Sequence, residues 1–227
     1  MLNKIIVVFS SHLSPEENDQ FIKDVKYSIG VPCEVYCYPN FNEYSLSSVY
    51  NRALAEHDDK NSAFVFMHND IIFVTKNWGK RLLAKFNNTN YSIIGLAGSM
   101  ILGEKAVWWE VPQTMIGIVN HTNGLRTWTS EYSKEFAGVK PVVVIDGCFM
   151  AVDPNNITDK FDEEFAGFHF YDLSLCVPNY LNGVDIGVIT DIRITHKSIG
   201  ITNDQWEQNR QFFIQKYSAD LPIILEV

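Results

Sequence analysis

In the run FVFMHNDIIF, residues 64–73, a histidine, an asparagine and an aspartate interrupt an otherwise apolar segment. FVFM has the character of a buried strand, which puts His68, Asn69 and Asp70 just past its carboxyl end. Open α/β sheets place their ligands at that edge, and the three side chains offer it an imidazole, an amide and a carboxylate. Turns are built from the same residue types, so the tripeptide alone leaves both readings open. Ser10 and Ser11 close the first apolar run, Asp146-Gly147 separates two others, and Asp172 follows FHFY where a helical pattern begins. Each also has a structural alternative: a strand-end turn for the serines, a tight turn for Asp146-Gly147 and a helix cap for Asp172. Trp108, Trp109 and Trp128 offer aromatic faces that could stack on a ligand, or pair in a core or hairpin.

The elements that must position these residues follow from the periodicity. KIIVVFS (4–10) is a continuous β-branched run, as expected of a strand buried on both faces. In SPEENDQFIKDVKYSIG, Ser14 and Glu17 have capping-box spacing, Pro15 suits the first helical position and Gly30 closes the helix. CEVYCY (33–38) is the next strand. SLSSVYNRALAE then carries Leu46, Val49, Tyr50, Ala53 and Leu54 on one helical stripe, with Asn51 on the polar side. Strand and helix alternate again through FVFM, the helix NWGKRLLAKF and the strand YSIIGLAG (91–98), which indicates βαβ units and a largely parallel sheet. The segment 106–129 lacks helical period and predicts an antiparallel excursion or a long structured loop. PVVVIDGCFMAV predicts two short strands hinged at Asp146-Gly147. A helix follows Asp172, with Pro178 kinking or shortening it. VDIGVITDIRITH predicts a strand, and Thr202 with Gln205 predicts a capping box for the last helix. The expected organisation is a single domain over 1–227, with a nucleotide-type half (1–100) and a more irregular C-terminal half (101–227).

Composition narrows the partners. A chain of 227 residues with 46% hydrophobic content has material for one substantial core. A net charge of −9 argues against nucleic acid or an anionic membrane as the main partner. A phosphate-bearing ligand would then need a local basic patch or a divalent cation. No apolar run approaches the roughly 18–20 residues of a membrane-spanning helix. The four cysteines lack the paired CxxC spacing of a zinc site and are expected to be buried thiols.

Five segments, in order, resemble the GT-A glycosyltransferases of family 2, in particular the bacterial glycosyltransferase-like branch with an altered DxD motif. SLSSVYNRALAE resembles the helix preceding the DxD strand, with Asn51 in the matching place, and FVFMHNDIIF the strand that ends in DxD, with His68 in place of the first aspartate. VIDGCFMAVD resembles the acceptor-side strand. FDEEFAGFHFYDLSLC resembles the FDE segment and its acidic pair, with Tyr171 and Asp172 at the two positions. ITHKSIG resembles the late histidine segment.

The resemblance implies a GT-A type nucleotide-diphospho-sugar transferase fold, with a mostly parallel central sheet flanked by helices and an irregular antiparallel C-terminal half. It implies transfer of a sugar from a nucleoside diphosphate sugar of UDP or GDP type to a glycan or lipid-linked saccharide, by a single inverting displacement. The alternative is a catalytically degenerate relative that binds nucleotide or glycan without turnover. A divalent cation, Mn²⁺ or Mg²⁺, would rest on Asp70 and His196, since such ions neutralise a diphosphate leaving group. Asp172 would be the catalytic base. Ser10, Ser11, Asn51, His68, Asn69, Asp70, Asp146 and Gly147 would line the donor site, and Trp108, Trp109 and Trp128 the acceptor site. His12, His57 and His121, which have no evident partners, are expected at the surface. The expected location is cytoplasmic, or peripheral at the inner membrane face.

Overall fold

The computed structural model describes residues 1–198, 200 and 202–226. The N-terminal half alternates strand and helix, except that an additional short strand, β4, follows β3 directly: β1 (Lys4–Ser11), α1 (Pro15–Ile29), β2 (Cys33–Pro39), α2 (Leu46–Glu56), β3 (Ser62–Met67), β4 (Ile71–Phe73), α3 (Trp78–Asn88) and β5 (Ile93–Gly95). Ser14 caps α1 through a full capping box with Glu17, and Gly30 ends it in the left-handed region at φ 73°. The chain then becomes strand-rich, with β6 (Ala97–Ser99), β7 (Ile101–Leu102), β8 (Met115–Thr122), β9 (Thr127–Glu131), β10 (Lys140–Pro141), β11 (Val144–Ile145) and β12 (Phe149–Val152). It closes with α4 (Tyr171–Leu181), β13 (Ile186–Val188), β14 (Ile194–His196), α5 (Asp204–Lys216) and β15 (Ile223–Ile224).

Among the described residues, one sheet has seven strands in the order β10-β13-β5-β12-β3-β1-β2, and a second has the path β11-β6-β8-β14-β4, with β9 paired to β8. β1 pairs in parallel with both β2 and β3, and β13 with β5, whereas β12 enters antiparallel between β3 and β5. Every residue of β3 and β12 is buried. Helices cover both faces of this sheet. Tyr50 of α2 lies 4.7 Å from Phe66 on one side, and Trp78 of α3 lies 5.8 Å from Phe149 on the other. Because Phe66 is in register with Met150 and side chains alternate along a strand, Phe66 and Phe149 point to opposite faces.

The two sheets share the chain repeatedly. It leaves the large sheet at Met67 and enters the small one at Ile71; Gly95 to Ala97 makes the same passage, Ile145 to Phe149 returns, and Val188 to Ile194 crosses again. Two sequence expectations are corrected here. YSIIGLAG and VDIGVITDIRITH are each two strands in different sheets, because the chain changes sheet within each apolar run. Periodicity cannot mark such a passage, since both sides are buried. The last helix is capped by Asn203, which accepts from Trp206 N, rather than by Thr202. Pro178 lies inside α4 without ending it.

The passages require close backbone approach. A Cβ on Gly98 would stand 2.2 Å from Val144 O, a backbone atom that cannot swing aside. Gly98→Ala should therefore force β6 and β11 apart and lower stability by about 1–3 kcal/mol, read as a shift in the urea unfolding midpoint. An unchanged midpoint would contradict this packing.

Candidate active site

His68, Asn69 and Asp70 form the passage from β3 to β4. His68 N still donates to Cys148 O at 3.1 Å, extending the pairing with β12, while Asp70 O already accepts from Lys197 N at 3.0 Å beside β14. The tripeptide is thus polar because it lies between two sheets. β14 pairs with β4 and β8, placing His196 opposite Ile71 and His121.

Three ligand-type atoms meet at this seam. His196 Nε2 lies 3.2 Å from Asp70 Oδ1 and 3.2 Å from His68 Nδ1, and His68 Nδ1 lies 3.9 Å from Asp70 Oδ1. The three fall within 4.8 Å of one another, close enough to bind one metal ion. Asp70 Oδ1 is sealed from solvent without a well-directed hydrogen bond, despite the nearby imidazoles. An orphaned carboxylate oxygen facing two ring nitrogens fits a cation. Burial opposes ionisation of Asp70, but His196, with Ser198 and His68, outweighs it and holds the carboxyl at about 2. Burial likewise opposes a charge on His196, yet the Asp70 carboxylate raises its pKa.

Asn69 turns the other way. Its Nδ2 donates to Ser11 Oγ at 2.9 Å and to Asn18 Oδ1 at 3.2 Å, and Asn18 in turn donates to the carbonyls of Leu13 and Ser14. This ties the tripeptide to the β1–α1 turn. The adjacent Ser10 Oγ is buried without a partner.

A second group lies at the passage from β11 to β12. Asp146 Oδ1 accepts from Cys148 N, and Asp172 Oδ2 accepts from Gly147 N at 3.1 Å. Asp172 does not cap α4; its other oxygen accepts from Leu173 N at 2.9 Å. Burial, reinforced by the Asp146 charge, pushes the Asp172 carboxyl up to about 7, against the pull of these backbone donors. Tyr171 joins the two groups, because its hydroxyl lies 2.8 Å from His68 Nε2.

The structure brings His68, Asn69, Asp70 and His196 together with Ser11, and sets Asp146, Gly147 and Asp172 beside them through Tyr171. It does not bring Asn51. Its amide donates to Phe161 O and Glu163 Oε1 and accepts from Phe161 N, so its hydrogen-bonding capacity is spent clamping the FDE segment. Trp108 is also removed from ligand contact, because it is 6% exposed within the core. Trp109 is exposed and packs near Trp206, while Trp128 is 36% exposed and stacks on His121 with ring centroids 5.4 Å apart. His121, expected at the surface, instead lies with its ring 6.2 Å from that of His196. Asn18 and Asn209 also contribute, without a motif in the sequence to mark them; Asn209 donates to the carbonyls of Ala166 and His169 and fixes the approach to α4. The one available clue was polarity within amphipathic helices, since Asn18 and Asn209 are buried there.

The profile described as the glycosyltransferase-like family matches residues 5–217. The chain belongs to this family. No curated protein sequence matches this glycosyltransferase-like chain. Among solved structures, it is similar to GalNAc-T7 with UDP, GalNAc and Mn²⁺, at 7% identity and TM-score 0.62, covering 94% of this chain and 48% of that one. It is similar to the mannosyltransferase PcManGT from Pyrobaculum calidifontis in complex with GDP-Man and Mn²⁺, at 9% identity and TM-score 0.59, covering 96% and 64%. It also resembles S. aureus TarS, at 12% identity and TM-score 0.61, covering 96% and 40%. The chain spans less than two thirds of the length of each of these proteins. The shared feature is the GT-A fold that the motif succession implied.

The Asp172 environment has a measurable consequence. Its native pKa near 7 lies above the unfolded value of about 3.9, so the native state holds the proton more tightly and this group lowers stability as pH rises through that window. Asp172→Asn cannot ionise. Its melting temperature relative to the unsubstituted protein should rise between pH 4.5 and pH 8, and a difference independent of pH would contradict the raised carboxyl.

Proposed function

We propose that the protein transfers a sugar from a nucleoside diphosphate sugar, of UDP or GDP type, to a hydroxyl of a glycan or lipid-linked saccharide. The observation that carries this reading is the pairing of two distinct groups at the seam of a GT-A fold. One is a set of cation-ligand atoms, and the other is a carboxyl poised near neutral pH. Residues 1–100 would hold the donor and 101–227 the acceptor, within one domain.

Asp70 and His196 would hold a divalent cation, with His68 facing the same point. When bound, the ion offsets the charge that gathers on the diphosphate oxygens as the glycosidic bond breaks. Ser10, Ser11 and Asn69, at the carboxyl end of β1 and β3, would line the donor side. Asp146 and Gly147 flank the sugar, with Gly147 N already committed to Asp172. The Asp172 carboxylate takes the proton of the acceptor hydroxyl, whose oxygen bonds to the anomeric carbon while the bond to the diphosphate oxygen breaks and its electron pair leaves with phosphate. A carboxyl near 7 is a stronger base than an ordinary aspartate and is half ionised at neutral pH. No nucleophile for a covalent intermediate is indicated, so the anomeric configuration inverts. Trp128, exposed on its His121 stack one strand from His196, and Trp109 offer faces to the acceptor.

Among the described residues no helix is long and apolar enough to cross a membrane, and the proposed workplace is the cytoplasm or the inner face of its membrane.

Calorimetric titration with UDP and GDP, with and without Mn²⁺, tests the donor side. Binding should require the cation and vanish in Asp70→Ala. Asp172→Asn should keep that binding while losing transfer by at least about 100-fold. Transfer at an unchanged rate in Asp172→Asn would sink the base assignment.

A further inference from the structure

Tyr171 stands where the resemblance implies an acid, and His68 stands where it implies the first aspartate of DxD. The two departures touch each other. Tyr171 is 5% exposed, its ring lies edge-on to Tyr50 at 5.8 Å, and its hydroxyl packs against Gly147, where a Cβ would come within 2.3 Å of it. The hydroxyl is therefore fixed in place. Its hydrogen-bond partner among the described residues is His68 Nε2. Phenylalanine would fill the same space, and a buried hydroxyl is costly unless it is used.

The use follows from the imidazole. A neutral histidine carries one proton, and the partner of one ring nitrogen decides what the other can do. If His68 Nε2–H donates to the Tyr171 oxygen, the Nδ1 lone pair is left facing Asp70 Oδ1 and His196 Nε2, where a cation would sit. Metal-binding histidines are commonly oriented through such a bond at the far nitrogen. Resting on the proposed transferase reading, we infer that Tyr171 is a positioning residue that holds His68 as the third ligand of the cation. The resulting set of two imidazoles and one carboxylate favours transition cations, Co²⁺ and Zn²⁺ most and Mn²⁺ less, over Mg²⁺, which holds to oxygen ligands. The expected cofactor thus narrows from Mn²⁺ or Mg²⁺ to the former class. His68 and Tyr171 then act as one joint replacement, in which the hydroxyl supplies the orientation that an imidazole needs and a carboxylate does not.

The test uses the full chain without nucleotide. Mn²⁺ and Mg²⁺ affinities are measured by calorimetry, and Co²⁺ binding by visible absorption, for the unsubstituted protein and Tyr171→Phe. The variant should bind Mn²⁺ and Co²⁺ about 10- to 100-fold more weakly, with a smaller preference for Mn²⁺ over Mg²⁺. A purely structural role would weaken both ions alike, and that result, or unchanged binding, overturns the inference while leaving the transferase reading intact. If the unsubstituted protein binds none of these ions, with or without UDP or GDP, the cation reading itself fails. Should Tyr171→Phe not fold, ¹⁵N-histidine NMR of the unsubstituted protein with Zn²⁺ decides. A metal-bound Nδ1 and a protonated Nε2 on His68 are expected, and a protonated Nδ1 overturns the assignment.

Discussion

The chain must leave one sheet for another while remaining in the protein interior, and the candidate site follows from that constraint. A strand satisfies its backbone groups through its neighbours, but a segment passing between sheets loses that support. At residues 68–70 the loss is made good by Cys148 on one side and Lys197 on the other. The side chains of His68 and Asn69 bond other side chains across the seam: Tyr171 and His196 on one side, Ser11 and Asn18 on the other. Polar groups placed at this seam are fixed from both sides, which suits chemistry that needs set distances. The passage at Asp146-Gly147 obeys the same rule, with Asp172 taking up the Gly147 amide.

Charge explains how the two groups differ. Asp70 lies beside imidazoles and ionises easily, whereas Asp172 is held up to about 7 by burial and by the charge of Asp146, against the pull of its backbone donors. Two aspartates a short way apart in the fold are thereby suited to opposite tasks: a permanent negative charge to hold a cation, and a proton acceptor. Tyr171 lies between them, precedes Asp172 in sequence and touches His68, so the orientation of one group is tied to the other.

Much of this was legible in the sequence. The capping box of α1, the stripe of α2 and the continuous apolar run of β1 are local patterns, and local patterns survive folding. The polar interruption at 68–70 was visible for the same reason, although its residue types alone also suit a turn. What was hidden is what depends on pairing between distant segments. Asn51 has the spacing of a solvated helix residue, yet it clamps Phe161 from 110 positions away. His121 becomes a neighbour of His196 only through the parallel pairing of β8 with β14. YSIIGLAG contains a change of sheet that its composition cannot mark, because both halves are buried. Trp108 and Trp128 are chemically alike in the sequence and are separated only by burial.

His68, Asp70 and His196, gathered at the seam between the sheets, are proposed to hold a cation against a diphosphate. Anomalous diffraction from crystals grown with Mn²⁺ and UDP tests it most directly. The account predicts a single strong anomalous peak within bonding distance of His68 Nδ1, Asp70 Oδ1 and His196 Nε2, with diphosphate oxygens completing its coordination. A peak elsewhere, or UDP bound at the seam with no cation between it and these residues, would contradict it.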